Sequence, residues 1–427
     1  MKIIHASAWY PPDSYGGVEV YLEGLTQNLR ALGVECCAIA PRPNQTRQEH
    51  HNGIEVYRYD SFDSFAHKLR SAQADIYHQH TIHPNCGIEH LRLARSLGMK
   101  TIATIHMPDV VCLRGTMMRG GMSACDGKIN LVRCAQCLGV SKRVPDRMLR
   151  SLSRLPSPIA TLSRAQLRHA SDVRLRQLGT TLSTPAQIAA HHRQFRALIQ
   201  MVDRVVVVCQ WLYDAFVANG VPAEKLLLSR HGVDAGFLPP RPSPAPPFKI
   251  GFLGRWQETK GVQILVEALQ HVPKSIAIEL IIHATHADRY GQANREKICA
   301  IAAHDSRIKI RDPLARSEIA QAIAQFDLLA VPSQWLETGP LVVLEAHATK
   351  TPVIGSDLGG IAELIRHGVD GWLVPPIEID AWASAITYLT TNPAIVAELK
   401  QNIPSVKTTR DVAHEMRSLY TALVREH

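Results

Sequence analysis

The amino-acid sequence predicts an α/β protein of two doubly wound domains, each with a mostly parallel sheet. Three observations carry this. Short apolar runs of strand length alternate with runs of helical spacing along most of the chain. The alternation comes as two successive series. Between them lies Phe237–Pro247, a segment with six prolines that can join neither a helix nor a central strand. Strands alternating with helices imply a parallel sheet covered on both faces. A length of 427 residues leaves room for two or three domains.

The first series opens with the strand Lys2–Ala6. Gly16-Gly17 marks a turn, and Val18, Tyr21, Leu22, Leu25, Leu29 and Leu32 follow at helical spacing until Gly33. Val34–Ala40, Ala74–His80 and Lys100–His106 read as further buried strands, with a helix at Leu91–Leu97 between the last two. The pattern then breaks. Residues 107–200 hold four cysteines and Arg-studded helical stretches at Arg143–Arg154 and Leu162–Leu178. Arg204–Val208 resumes the pattern as the expected last strand of this domain.

The second series has strands at Phe248–Leu253, Ile278–His283, Ile308–Ile310, Leu328–Val331, Pro352–Gly355 and Trp372–Val374. Helical patterns such as Val262–Gln270 and Ser317–Ala324 sit between them, and Thr408–Arg425 is one amphipathic helix. The expected organisation is a first domain at 1–236 with an insertion at 107–200, a linker at 237–247, a second domain at 248–407, and a helix at 408–427 packing back on the first domain. Two such domains are expected to face a cleft, and open α/β sheets bind ligands outside the carboxyl ends of their strands.

Composition excludes some classes. With 46% hydrophobic and 20% charged residues the chain is not generally disordered. No apolar run approaches the ~18 residues of a membrane span. The start reads as a strand rather than a secretory signal, so a cytoplasmic protein is expected, with a place at the inner face of the cell membrane left open. Nine cysteines, an odd number, argue against a disulfide framework there. Cys36, Cys37, Cys86, Cys209 and Cys299 read as small core residues. Residues 107–200 contain 15 Lys and Arg against 4 Asp and no Glu, a net +11, so the rest of the chain carries −2 of the total +9.

Four segments carry candidate chemistry. Gly254-Arg255-Trp256-Gln257-Glu258-Thr259-Lys260-Gly261 follows a strand and opens a helix; its two cations suit diphosphate oxygens, and the helix N-terminus adds oriented N–H groups. A solvated turn with two surface cations reads the same residues as well. Glu337 and Glu345 stand seven residues apart around Gly339-Pro340, with Pro at an early helical position. Leu341–Leu344 is too apolar for a surface turn, so Glu345 is a costly burial unless paired or liganded. Two helix-end carboxylates satisfied by arginines are the plain alternative. Gly16-Gly17 at the end of the first strand, and His106 at the end of Lys100–Ile105, are weaker signals that gain from their positions.

Taken in order, these segments resemble the retaining nucleotide-sugar glycosyltransferases of the GT-B fold (glycosyltransferase family 4, group 1), which have two Rossmann-like domains facing a cleft. The resemblance also rests on Pro352-Val353-Ile354, Gly359-Gly360-Ile361-Ala362-Glu363, His367–Val374 and His231-Gly232-Val233-Asp234, where His231 replaces the usual Asn. It implies transfer of a sugar from a UDP- or GDP-type donor to a glycan or lipid-linked acceptor, in cell-surface polysaccharide or glycolipid synthesis, without a catalytic metal. Arg255 and Lys260 would hold the donor diphosphate, and Glu345 the ribose. Glu337 and His106 would contact the transferred sugar. Backbone N–H groups of Gly339, Leu341 and Val342, and the Gly16-Gly17 loop, would approach the phosphate or sugar.

Two features lie beside that chemistry. Cys112-x12-Cys125-x8-Cys134-x2-Cys137 supplies four thiols for a structural Zn²⁺ closing a segment without its own core; an iron–sulfur cluster and four unconnected thiols are the other readings. A subset of the resembled family carries similar Cys-rich insertions after the strand bearing His106. The basic insertion, with Arg and Leu interleaved from Arg147 to Leu155, suits an anionic membrane surface or an ordinary solvated helix face. Nucleic acid ranks well below, since no nucleic-acid motif is present and aromatics make up 6%. The rivals are another GT-B enzyme, such as a sugar-nucleotide epimerase or a phosphorylase, and a non-enzymatic polyanion-binding protein.

Overall fold

The computed structural model describes residues 1–156, 172–233, 246–285 and 289–426. Most of the proline-rich linker and the part of Leu162–Leu178 before residue 172 lie outside the described residues, as does Asp234. The chain divides into two compact units, Met1–Arg230 with Ala413–His427, and His231–Val412.

The first unit is built on an eight-stranded sheet: β1 (Lys2–Ala6), β2 (Glu35–Pro41), β3 (Arg47–His51), β4 (Ile54–Tyr59), β5 (Ile76–Gln79), β6 (Lys100–Ile105), β9 (Arg204–Val207) and β10 (Leu226–Leu228), with the small hairpin β7 (Met118–Arg119) and β8 (Ser123–Ala124) apart from it. Their order is β10-β9-β6-β5-β1-β2-β4-β3, and all neighbours are parallel except the β3–β4 hairpin. Register places His5 beside His78. Strand β3, RQEHH, is polar and lies at the sheet edge, so periodicity gave no sign of it. The C-terminal helix Thr409–Arg425 buries Ala413, Met416, Tyr420 and Leu423 at a three-to-four-residue spacing.

Within 107–200 the structure corrects one expectation. The segment has a small core of its own, in which Ala135, Val140 and Leu149 pack with Ile188. Ile188 lies on the 29-residue helix Val173–Met201, which carries Pro185 in its interior. Sequence reading had no reason to continue a helix through a proline that removes an internal hydrogen bond. Cys36, Cys37, Cys86 and Cys209 are buried as expected of core residues, whereas Cys299 is partly exposed.

The second unit has six parallel strands: β11 (Phe248–Arg255), β12 (Ile278–Thr285), β13 (Ile308–Arg311), β14 (Leu328–Val331), β15 (Val353–Ser356) and β16 (Gly371–Val374), in the order β13-β12-β11-β14-β15-β16. Phe252, Leu265, Leu280, Leu328, Trp382 and Leu389 belong to its main core. Strand β11 runs two residues beyond the expected Leu253, because Gly254 and Arg255 still pair with Ala284 and Thr285 of β12. Arg255 therefore ends a strand and does not sit in a loose turn. The loops that follow the neighbouring strands β11 and β14 carry Lys260 and Glu337 at the carboxyl ends of the sheet, where an open parallel sheet presents its ligands.

Candidate active site

In the second unit, the loop after β11 makes a single 3-10 turn, Glu258–Lys260, before the helix Val262–His271. Gly261 joins them in a left-handed conformation, φ +76°, and a Cβ there would lie 1.8 Å from the Pro332 carbonyl oxygen. Only glycine satisfies both constraints. The close approach ties the loop after β11 to the loop after β14, and the Gln334 N–H donates to the Thr259 carbonyl at 2.7 Å.

That contact brings Lys260 to Glu337. Lys260 Nζ donates to Glu337 Oε1 at 2.6 Å, and the same oxygen accepts from Ser333 Oγ and Trp335 Nε1, each at 2.8 Å. Lys260 Nζ also stands 5.3 Å from the centroid of the Trp335 ring. Ser333, Trp335 and Glu337 are all buried. A buried carboxylate oxygen with three donors, one of them cationic, is a charge-assisted cluster of fixed geometry. Ser333 and Trp335 were missed by sequence reading, although the spacing Ser333-x-Trp335-x-Glu337 is visible in the chain.

The loop carrying Glu337 is held from a third side. The Gly360 N–H donates to the Glu337 carbonyl at 2.7 Å, and a Cβ on Gly360 would come within 2.6 Å of that oxygen. This gives the Gly359-Gly360 pair a packing role behind the carboxylate. His231 Nδ1 donates to the Gly339 carbonyl at 3.0 Å, so the residue that replaces Asn braces the next part of the same loop. Burial pushes the His231 imidazole down to about 4, which keeps it neutral for that task.

Glu345 lies on the helix Leu341–Ala348, whose N-cap is Pro340 and whose first residues are Leu341 and Val342. Its Oε1 is paired with Arg316 Nη1. Arg316 was not anticipated; it begins a short turn after β13 and comes from a part of the sequence without a motif. The burial cost expected of Glu345 is thus offset by an arginine.

In the first unit, Gly16 is the N-cap of the helix Gly17–Ala31, with extended backbone. Its N–H donates to Glu19 Oε2 at 3.0 Å, and a Cβ on Gly16 would meet only that flexible carboxylate. The protein's own packing does not demand glycine there. His106 follows β6, almost fully buried, with its ring 4.8 Å from that of Tyr21. It lines a cavity of about 90 Å³ together with Trp9, His80, His83, Thr104 and Met107.

The four thiols are partly exposed and unbridged. Cys134 and Cys137 lie one turn apart on the helix Leu131–Cys137. The Gly120 N–H points at Cys137 Sγ at 3.2 Å and the Asn130 N–H at Cys134 Sγ at 3.5 Å. Burial raises the Cys134 thiol. Among the described residues, the side chains whose ligand atoms converge within 4.8 Å are His5, His78 and His80, and the thiols form no such group.

Comparison with known proteins decides the family. A model of the glycosyl transferase 4-like domain matches residues 16–230, half of the chain, and a model of glycosyl transferases group 1 matches residues 247–392. The chain belongs to the glycosyltransferases of this family. Among curated relatives, this glycosyltransferase is 31% identical over 140 residues to the D-inositol 3-phosphate glycosyltransferase of Mycobacterium marinum, covering 32% of this chain and 29% of that protein. It is 26% identical over 228 residues to the amylovoran biosynthesis glycosyltransferase AmsK of Erwinia amylovora, covering 51% of this chain and 55% of AmsK. The chain thus spans about half, or less, of the length of these relatives. Among solved structures, the sucrose-phosphate synthase of Thermosynechococcus elongatus superposes over the full length of both chains with a TM-score of 0.67 at 17% identity. Anabaena HepE in complex with UDP and glucose superposes with a TM-score of 0.62 at 16% identity, over 100% of this chain and 98% of HepE. These likenesses establish the GT-B fold of the glycosyltransferase, with its two Rossmann-like units.

Proposed function

We propose that this glycosyltransferase moves a sugar from a nucleoside-diphosphate sugar, of the UDP or GDP type, to a hydroxyl of a glycan or lipid-linked acceptor, retaining the anomeric configuration, in cell-surface polysaccharide or glycolipid synthesis. The observation that carries the reading is the 2.6 Å contact of Lys260 with Glu337, in the loop that follows the strand β11, which ends at Arg255. The complexes of HepE with UDP and with UDP-glucose support a UDP-type donor.

Charge dictates the mechanism. Breaking the bond from the anomeric carbon to phosphate leaves a diphosphate of increased negative charge and an oxocarbenium-like sugar. Arg255 and Lys260 stabilise the leaving group, a preorganised electrostatic effect that supplies what a divalent metal supplies elsewhere. N–H groups of Gly339, Leu341 and Val342 and the Gly16-Gly17 loop approach the phosphate or sugar. Glu345 accepts from the ribose hydroxyls, sharing or exchanging its Arg316 partner. Glu337 and His106 contact the transferred sugar, Glu337 as a fixed charge and hydrogen-bond acceptor. A donor phosphate oxygen takes the acceptor's proton as the acceptor attacks from the leaving-group face, so no protein general base is assigned.

Two partners belong to the proposal. Cys112, Cys125, Cys134 and Cys137 have the donor chemistry for a structural Zn²⁺, and the N–H groups of Gly120 and Asn130 point at the sulfurs of Cys137 and Cys134. The exposed cations Lys142, Arg143, Arg147, Arg150 and Arg154 suit an anionic membrane surface. Among the described residues no helix is long and apolar enough to cross a membrane.

The test is thermal stabilisation by UDP, GDP and ADP against heparin. Nucleotide-specific stabilisation that disappears in Arg255→Ala and Lys260→Ala is expected. An equal response to every polyanion rejects the reading in favour of a polyanion-binding protein.

A further inference from the structure

Four histidines gather at the carboxyl ends of β1, β5 and β6, and the proposed mechanism uses only His106. His5 and His78 are side by side in register, and His80 lies two residues beyond His78 on the same face. His5, His78 and His80 are essentially sealed from solvent, and His106 is nearly so. His5 Nδ1 is 3.1 Å from His80 Nε2, and His80 Nδ1 is 3.5 Å from His106 Nε2, at the long end of hydrogen bonding. His78 is fixed at both nitrogens, to Tyr420 Oη at 2.7 Å and Thr104 Oγ1 at 2.7 Å, and its ring lies 4.1 Å from that of His80.

The direction of this chain follows from its far end. His5 Nε2 has no hydrogen-bond partner. If His80 donated to His5, the His5 proton would sit on Nε2 as a buried, orphaned N–H. If His5 donates to His80, the orphan is a bare lone pair, and buried orphan N–H groups are the rarer case. His5 Nδ1–H then donates to His80 Nε2. Neutral His80 must carry its proton on Nδ1 and donates to His106 Nε2, which leaves the His106 proton on Nδ1. We propose that the imidazole chain His5–His80–His106 holds His106 in its Nδ1–H tautomer, making His80 a positioning residue for the sugar contact. Burial lowers the basicity of His5, His78 and His80, so these three rings stay neutral near neutral pH. A divalent ion at the same histidines is the weaker reading. Both nitrogens of His78 already have hydroxyl partners, which leaves neither free to bind a metal.

This inference rests on the proposed role of His106, and the test separates the two. In the full-length protein with nitrogen-labelled histidine, two-bond proton–nitrogen spectra report each tautomer, and His106→Gln assigns the resonance. The expected result is the Nδ1–H form at His106; an Nε2–H form overturns the inference without reference to activity. Nucleotide release from UDP-glucose or GDP-mannose, whichever is turned over, is then followed in variants. His80→Leu should lose the tautomer bias and about tenfold in turnover with little change in donor KM. His80→Asn, which places an amide N–H near the former Nδ1, should recover most of both. Unchanged tautomer and turnover in His80→Leu overturn the inference, and if that variant fails to fold, the wild-type spectrum decides. One equivalent of bound metal that disappears in His5→Ala also overturns it. The expected tautomer combined with full turnover in His106→Ala would sustain the imidazole chain and remove His106 from the sugar contact.

Discussion

Lys260 Nζ stands 2.6 Å from Glu337 Oε1, although 77 residues separate the two along the chain. The pair unites a cation expected to face phosphate with a carboxylate expected to face sugar, and Trp335 touches both. Its indole N–H donates to the carboxylate and its ring lies beneath the ammonium. Trp335→Phe keeps the ring and deletes the N–H. It should lower turnover about tenfold or more while costing about 1 kcal/mol of stability. Glu337→Gln should lower turnover further at similar stability. Steady-state kinetics beside denaturant unfolding measure both, and unchanged turnover in Glu337→Gln removes that residue from the site.

Glu345→Ala should act on the nucleotide rather than on the sugar. Removing the proposed carboxylate acceptor for the ribose should weaken nucleotide binding about tenfold or more, with a smaller effect on turnover at saturating donor. Calorimetric titration with UDP or GDP reads this. An unaltered dissociation constant would leave Glu345 as a partner of Arg316 alone.

Gly261→Ala tests whether the two motif loops are locked together by close backbone approach. A methyl group would have to displace the Pro332 carbonyl and hold a left-handed backbone. A loss of about 1–3 kcal/mol is expected, with Lys260 displaced from Glu337 and turnover reduced. Near-wild-type melting and activity would show that the loops move apart freely.

The thiol cluster has a direct measurement. Elemental analysis of purified protein should find about one zinc per chain, lost in the double variant Cys134→Ser, Cys137→Ser. Finding no metal in protein prepared without chelators leaves four unconnected thiols beside a small apolar core.

Acid should destabilise the protein through its buried histidines. Burial holds His231, His347 and His90 down to about 4 each. Their unfolded counterparts protonate near ~6.5. Between these values the unfolded chain binds more protons, so stability is complete above about pH 6.5 and falls as pH drops toward 4, by about 1 kcal/mol per pH unit for each such group. Melting temperatures recorded from pH 7.5 to 4.5 should decline through that window, and a flat profile would contradict the burial of these rings.

The doubly wound pattern, the cations Arg255 and Lys260 after a strand, and the Glu337–Glu345 segment were all legible in the linear sequence. They rest on local signals: strand-length apolar runs, helix starts, and residue types whose charge chemistry is distinctive. The polar edge strand β3 was not legible, because an exposed edge needs no apolar alternation. The helix Val173–Met201 was hidden by Pro185, whose lost hydrogen bond the surrounding packing outweighs. Ser333, Trp335 and Arg316 went unnoticed for a different reason. None has a distinctive residue type for the chemistry, and each matters only through the carboxylate it touches.

By itself, the order of residues determined which side chains are available and at which strand ends they emerge, since backbone periodicity is a local property. Only the tertiary structure decided which of them meet. Gly261 against Pro332 brings Lys260 to Glu337, Arg316 reaches Glu345 across 29 residues, and three adjacent strands assemble His5, His80 and His106. Those meetings depend on strand register and on loop packing between segments far apart in the chain, which no local pattern encodes.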